Sequence, residues 1–385
     1  MSARSRTFLC LCQLLCLAAR VRGQNVAMTS AGVAVAVRGG SDFALSFTNA
    51  ATGERQQDSA IADARFAFDD VAVDPANERL VFALATASRA VCAFVLGGPD
   101  GASPAPAGCV VGTFAVAPFC GVAARGGTLV VSGGTGGFTA YEYDPATGVI
   151  ADEPALRNVR LPDVIGHPDV VMVDAARAAL STDFRGGASR FGTQLVLLDL
   201  AGEASASAGA DYRVADTLGF DLIIGPANFP LVNAVYRTAD GRTVLYTANG
   251  AMQAQDLAAG GAGAVLAGAP AGFAAVTVAV HQARGLVAFG GVVAAGGGSR
   301  VLFYDLGGDP LAPALVASRA AGTGERITSV AAGGNLVAFV TTENADVVQT
   351  LELPPASKAG KGKNVKNGKA RKIRRRTEEN PFSES

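Results

Sequence analysis

A chain of 385 residues, about half of them hydrophobic, is long enough to bury a large core without a partner; its 48 glycines come as doublets between apolar runs, and the lack of a Gly-X-Y period excludes collagen. The net charge of −1 conceals three unlike segments: residues 1–23 carry four Arg and no acid, residues 24–356 are net −12 without a single lysine, and residues 357–385 are net +7 and hold all six lysines. The acidic body repels polyanions, and only the last segment attracts them.

At the start of the chain, Arg4 and Arg6 form a positive n-region. Residues 8–19 are an apolar run of 12, and Val21-Arg22-Gly23 supplies a small-residue junction. This pattern predicts a secretory signal peptide over residues 1–23, cut before Gln24, and hence a protein that is secreted or held in the secretory-pathway lumen. A bilayer takes roughly 20 apolar residues to span, so this run is too short, and no later run qualifies. Loss of the signal removes Cys10, Cys12 and Cys16 and leaves Cys92, Cys109 and Cys120. An odd number in an oxidising compartment predicts one disulfide and one free thiol. Cys92 and Cys109 flank a Gly/Pro-rich loop and are the disulfide candidates, on neighbouring strands of one hairpin. Three buried, unpaired cysteines are the alternative. The spacing is not that of a zinc site, and the chain holds no Asn-x-Ser/Thr sequon.

Over residues 24–356 the hydrophobic period is two, in runs of five to eight, with no useful helical stretch. Residues 121–150, GVAARGGTLVVSGGTGGFTAYEYDPATGVI, hold the clearest unit: inner strand, glycine turn, middle strand, glycine turn, third strand, and an Asp-led turn closing on Gly148. Residues 279–308 keep the same order. Later units begin near residues 70, 118, 169, 231, 275 and 327, at spacings of 44 to 62. Several third strands end alike: Asp144 leads DPATG, Asp199 leads DLAG, Asp256 leads DLAAG, Asp305 leads DLGG, and Asn49 takes that place in NAATG. Asp or Asn bonds to its own backbone to start such a turn, and Gly supplies the positive φ that ends it.

At these residues the chain resembles the YVTN/lactonase-like and NHL-type group of β-propellers. FDDVAVDPANERLVF, residues 68–82, is similar to the inner-strand, Asp-turn, middle-strand signature of that group. VLFYDL and LVLLDL are similar to the third strand of WD40 blades, although the chain has no Trp and so no WD dipeptide. No single family is matched. The expected fold is an all-β propeller of seven blades over residues 24–356, with six and eight as neighbouring counts, followed by a disordered basic tail over 357–385. Closure has two expected forms: residues 25–29 supply a fourth strand to the last blade, or that blade is short.

The sequence does not name a ligand or a reaction. His167 and His281 are the two histidines and fall in different units, so a Ser-His-Asp site is poorly supplied. Asp69, Asp70, Asp74, Asp163, Asp169 and Asp174 recur where inner strands begin or turn. They read first as turn formers, and second as residues from several blades that converge on a hard cation in the channel; lactonase-like propellers take metal ligands from channel-mouth Asp, Asn and Glu, but that pattern is not matched here residue by residue and no ligand is assigned from it. Arg-Gly-Gly at Arg38, Arg125 and Arg185 sits inside the units and reads as turns. In the tail, Lys358, Lys361, Lys363, Lys366, Lys369, Arg371, Lys372, Arg374, Arg375 and Arg376 form a candidate polyanion-binding segment. Three functions are therefore expected, in this order: a monomeric, non-enzymatic module that takes a protein or glycan on a propeller face; a metal-assisted, lactonase-like hydrolase; and a polyanion-associated protein bound through its tail. No cofactor is evident, and a divalent cation is the one candidate.

Overall fold

The structure, a computed structural model, describes residues 26–37, 45–50, 52, 54–59, 68–86, 88–97, 104–112, 121–133, 137–160, 169–186, 190–200, 213–220, 232–259, 263–293, 298–322, 326–341, 348–354 and 368–369. These residues form seven sheets, each an antiparallel meander in chain order apart from one short parallel strand added at the edge of the sixth. The first holds β1 (Val26–Met28), β2 (Val33–Val37), β3 (Leu45–Asn49) and β4 (Glu54–Ser59), and the second β5 (Asp70–Val73), β6 (Leu80–Ala85), β7 (Ala90–Val95) and β8 (Ala105–Val111). The third holds β9 (Gly121–Arg125), β10 (Thr128–Gly133), β11 (Gly137–Glu142) and β12 (Leu156–Arg160), and the fourth β13 (Asp169–Met172), β14 (Arg177–Gly186), β15 (Arg190–Asp199) and β16 (Arg213–Phe220). The fifth holds β17 (Val232–Arg237), β18 (Thr243–Ala248), β19 (Met252–Asp256) and β20 (Ala264–Val265). The sixth holds β21 (Phe273–His281), β22 (Leu286–Val293), β23 (Ser299–Asp305) and β24 (Ala314–Gly322), and the seventh β25 (Ile327–Gly333), β26 (Leu336–Thr341) and β27 (Gln349–Glu352). The one helical element among the described residues is a 3-10 turn, Gln282–Arg284.

The first strand of each sheet packs against the first strand of the next, and β25 returns against β1. The sheets therefore stand as blades around a common axis, and the fold is a β-propeller. Side-chain alternation explains how they cohere. In β6, Leu80, Phe82 and Leu84 face the third blade, while Val81, Ala83 and Ala85 face the first. Both faces of a blade are thus buried, and its middle strands read as unbroken apolar runs. Among the described residues, one apolar cluster lies in each junction between neighbouring blades.

The turns form for the reasons their residues dictate. Arg125 and Thr128 pair across a two-residue loop in which Gly126 and Gly127 have φ of 57° and 99°. Positive φ at both positions is the type I′ geometry that suits the twist of a hairpin. In the DPATG turn, Asp144 Oδ1 accepts from Ala146 N at 2.8 Å, and the Gly148 N–H donates to Asp144 O at 2.7 Å. Asp256 and Asp305 repeat the side-chain bond, each accepting from the residue two further on at 2.9 Å. Arg185 lies near the end of β14, paired with Phe191. Arg38 is outside the described residues.

Of the two forms of closure, the first is corrected. Val26–Met28 is the inner strand of the first blade, paired with Ala34–Ala36, and the seventh blade has three strands among the described residues. The reason is local. The turn after β1 is tight, with Gly32 N donating to Thr29 O at 3.0 Å, and it holds β1 against β2. The ring closes instead by close approach. A Cβ on Gly333 would lie 2.0 Å from Thr29 O, so only glycine lets β25 come this near to β1. Gly334 N then donates to Ser30 O at 2.9 Å.

Cys92 and Cys109 are register partners on β7 and β8, and their sulfur atoms are bonded. Cys120 lies outside the described residues. In the tail, Gly368–Lys369 forms a short strand, β28, parallel to β24 at Arg319 and Ala320. The tail's other basic residues lie outside the described residues. No helix among the described residues is long and apolar enough to cross a membrane.

Candidate binding face at the inner-strand turns

Inner strands line the axis of a propeller, so their two ends open at its two faces. Polar side chains at both ends are used to join one blade to the next. At the start of the strands, Asp70 Oδ2 accepts from Val122 N at 2.7 Å, joining the second blade to the third. Asp169 Oδ2 accepts from Asn233 N at 3.0 Å and from Asn233 Nδ2 at 3.1 Å, joining the fourth to the fifth. Thr277 Oγ1 accepts from Val330 N at 3.3 Å, joining the sixth to the seventh. In the second and fourth blades the first residue of the inner strand thus caps the second residue of the next inner strand, and in the sixth blade Thr277, further along its strand, makes the equivalent link. Gly121 and Val232 are the first inner-strand residues of the third and fifth blades, and their side chains offer no acceptor. Protein crowds the Asp169 carboxyl although part of the residue's surface stays open. Burial pushes its pKa up to about 7, against the pull of the Asn233 bonds.

The turns that follow the inner strands form the other face. Asp74, fully buried, accepts from Ala76 N at 2.7 Å, from Gly126 N of the third blade at 3.2 Å, and from Tyr143 Oη at 2.5 Å. Burial and the bond to Asp74 raise the Tyr143 phenol well above its ordinary pKa. Further round, Ser30 N donates to Glu78 Oε2 at 2.6 Å, and Thr128 Oγ1 donates to Ala175 O at 2.7 Å. Gln282 grips the Arg237 peptide from both sides, accepting from its N–H at 3.0 Å and donating to its carbonyl. His281 is buried; its Nδ1 accepts from Arg284 N at 3.3 Å, and its Nε2 lies 2.9 Å from Gly334 O. With Nδ1 placed as acceptor, Nε2 is the ring nitrogen that donates to Gly334 O. Arg284 Nη1 donates to Asn335 Oδ1 at 2.9 Å. These bonds tie the turns of neighbouring blades into a belt.

On this face, Asp174 Oδ2 accepts from Arg177 Nε at 2.8 Å and its Oδ1 from Ala176 N at 2.9 Å. Burial raises its pKa, but the Arg177 and backbone bonds outweigh it and leave the carboxyl below its ordinary value. Arg125, half-buried, has its pKa lowered by burial and by Arg237, against Asp174 and Asp74.

Of the aspartates singled out in the sequence, Asp70, Asp74, Asp169 and Asp174 are hydrogen-bond acceptors for backbone and side chains, and Asp69 Oδ2 accepts from Thr86 N at 2.8 Å. Asp163 and His167 lie outside the described residues. No group of three or more His, Cys, Asp or Glu gathers as a metal site would need among the described residues. The arginines escaped notice in the sequence, where Arg125 read only as part of a glycine turn. The signal available was their shared place at the end of an inner strand, which Arg125 and Arg237 both occupy.

No family model matches the chain, and no curated protein matches it. Solved structures do match in fold. A chain of the mitotic checkpoint complex has a TM-score of 0.57 at 10% identity, covering 86% of this chain and 86% of its own. A chain of the hydrazine synthase of Kuenenia stuttgartiensis has 0.56 at 14%, covering 88% and 97%. A Bacteroides fragilis protein described as a 6-phosphogluconolactonase has 0.54 at 14%, covering 86% and 90%. At such identities the likeness shows the fold alone.

Proposed function

We propose that this chain is an exported β-propeller that acts as a non-enzymatic interaction module, taking a protein or glycan on the face formed by its inner-strand turns. The observation that carries this reading is the belt on that face. Hydrogen bonds between blades hold the turn backbone in place on that face, and exposed charged residues such as Arg237 and Asp240 stand on it. A rigid scaffold that displays side chains from short turns loses little conformational entropy on binding. The inner-strand aspartates serve this scaffold, since each accepts bonds that hold neighbouring turns or strands. The hydrolase alternative draws on a shared fold only, and a fold hosts many functions.

Export is tested by N-terminal sequencing of the native protein, which should begin at or near Gln24; recovery of an intact Met1 form from cytosol overturns it. The module reading is tested with the purified chain on arrays of extracellular proteins and glycans. A defined partner should lose binding to an Ala175→Trp variant, whose bulk covers the face, while melting stays unchanged. Sustained turnover of a lactone panel in the presence of a divalent cation would replace this reading with the hydrolase.

A further inference from the structure

Strand register brings two arginines from non-adjacent blades over the inner end of the fourth blade. On β9, Ala123 packs with Val170 and Met172 of the fourth blade. Arg125, two residues on, leaves the strand on that same side. On β17, Val235 packs against Val173 of the fourth blade, and Arg237, two residues on, leaves toward it as well. The two side chains therefore approach one turn, 173–177, from opposite flanks, and Arg237 adds to burial in disfavouring the charge on Arg125, against the pull of Asp174 and Asp74. Arg177 stands on that turn.

The carboxylates nearby are already occupied. Asp174 is filled by Arg177 and the Ala176 N–H, and Asp74 by the Ala76 and Gly126 N–H groups and the Tyr143 hydroxyl. Among the described residues, neither the Arg125 nor the Arg237 side chain has a hydrogen-bond or ion-pair partner. Arg125 is half-buried and Arg237 exposed, and an anion joining them would offset the burial and repulsion that disfavour the Arg125 charge, which Asp174 and Asp74 offset only in part. The backbone under both is fixed in advance: Gln282 clamps the Arg237 peptide from both sides, and Asp74 holds Gly126 next to Arg125. The body around this spot is net −12, so a local cationic pair is not a general property of the surface.

We infer that Arg125 and Arg237, with Arg177 beside them, form an oxyanion site at the turn-side mouth of the channel, shaped for a phosphate or sulfate group held between two guanidinium forks. A tetrahedral oxyanion offers acceptors on both flanks at once, which matches donors arriving from two sides. The site deepens the module reading and rests on it only for the choice of face.

The test is titration of the full purified chain with inorganic phosphate and, separately, inorganic sulfate, read by calorimetry at low and constant ionic strength, with chloride as control. Saturable binding of one or both is expected, and the two arms show which oxyanion fits. Arg125→Gln and Arg237→Gln should each weaken it about tenfold or more, the loss of one charge-assisted contact. Arg326→Gln, an exposed arginine just before β25, should change it less than about twofold. Without oxyanion, Arg125→Gln should melt no lower than the parent, because removing it relieves repulsion from Arg237; a lower melting temperature would mark Arg125 as structural and overturn the assignment. So would full binding in the Arg125→Gln/Arg237→Gln double variant, which would put the anion on the basic tail, or an equal response to chloride. Array binding that persists while phosphate and sulfate fail would sink the oxyanion site and leave the module reading standing.

Discussion

The junction between the second and third blades and that between the fourth and fifth do the same job with different chemistry. Between the second and third lie 13 buried apolar residues, among them Phe82, Leu129, Tyr141 and Tyr143, and Asp70 and Asp74 tie the two blades at both ends of the inner strand. Between the fourth and fifth, the described apolar cluster is Val173, Ala179, Leu197 and Leu245. On the same side of the fifth blade as Leu245 are buried Asn233, Thr243, Thr247, Gln253 and Gln255. The first junction is stabilised by area removed from water. Among the described residues, the second adds directional bonds to its apolar cluster, and its Asp169 carries a pKa raised by burial. The lesson is that blades of equal geometry can present different chemistry to a junction, as the polar face of the fifth blade shows beside the apolar face of the third.

Breaking each junction sharpens the contrast. Phe82→Ala should be the most damaging change, costing about 4 kcal/mol by chemical denaturation, because a fully buried ring leaves a cavity between two well-packed blades. Leu245→Ala should cost about 2–3 kcal/mol, since polar neighbours can partly fill the space. Tyr143→Phe should cost about 2 kcal/mol: it takes one donor from the buried Asp74 carboxylate without opening a cavity. Gly333→Ala tests ring closure between the seventh and first blades and should cost about 1–3 kcal/mol through the clash with Thr29 O.

The remaining effect is the one that depends on pH. Asp169 is raised from 3.8 to about 7 in the folded chain, so the fold binds its proton more tightly than the unfolded chain does. Its contribution to stability is full below 3.8 and is lost as pH rises through that window to about 7. The limit for one group is about 1.4 kcal/mol per pH unit, and exposure of part of the residue lowers it. Asp169→Asn should flatten stability measured from pH 4 to 7 relative to the parent, and the same slope in both proteins would show that another group is responsible.

Much of the fold was legible because blade turns are local. Asp144 and Gly148 close their loop with bonds inside five residues, and Gly126-Gly127 makes its hairpin alone. The role of Asp70 and Asp169 was not legible in that way. Each looks like any turn-forming aspartate, and its partner lies 52 or 64 residues away. The arginines of the turn face were missed for the same reason, since Arg125 and Arg237 are far apart in the chain and meet only through strand register.

By itself, then, the sequence determined the strand period, the blade spacing, the turns and the charge split between body and tail, because each depends on neighbours within a few residues. Only the tertiary structure decided that β1 belongs to the first blade, that closure uses the bare backbone of Gly333, that inner-strand aspartates bond across to the next blade, and that two arginines converge over the fourth. The physical reason is that a propeller repeats its local chemistry in every blade. What distinguishes one junction from another is which side chains from distant repeats come to face each other, and that is fixed by the register and closure of the whole ring.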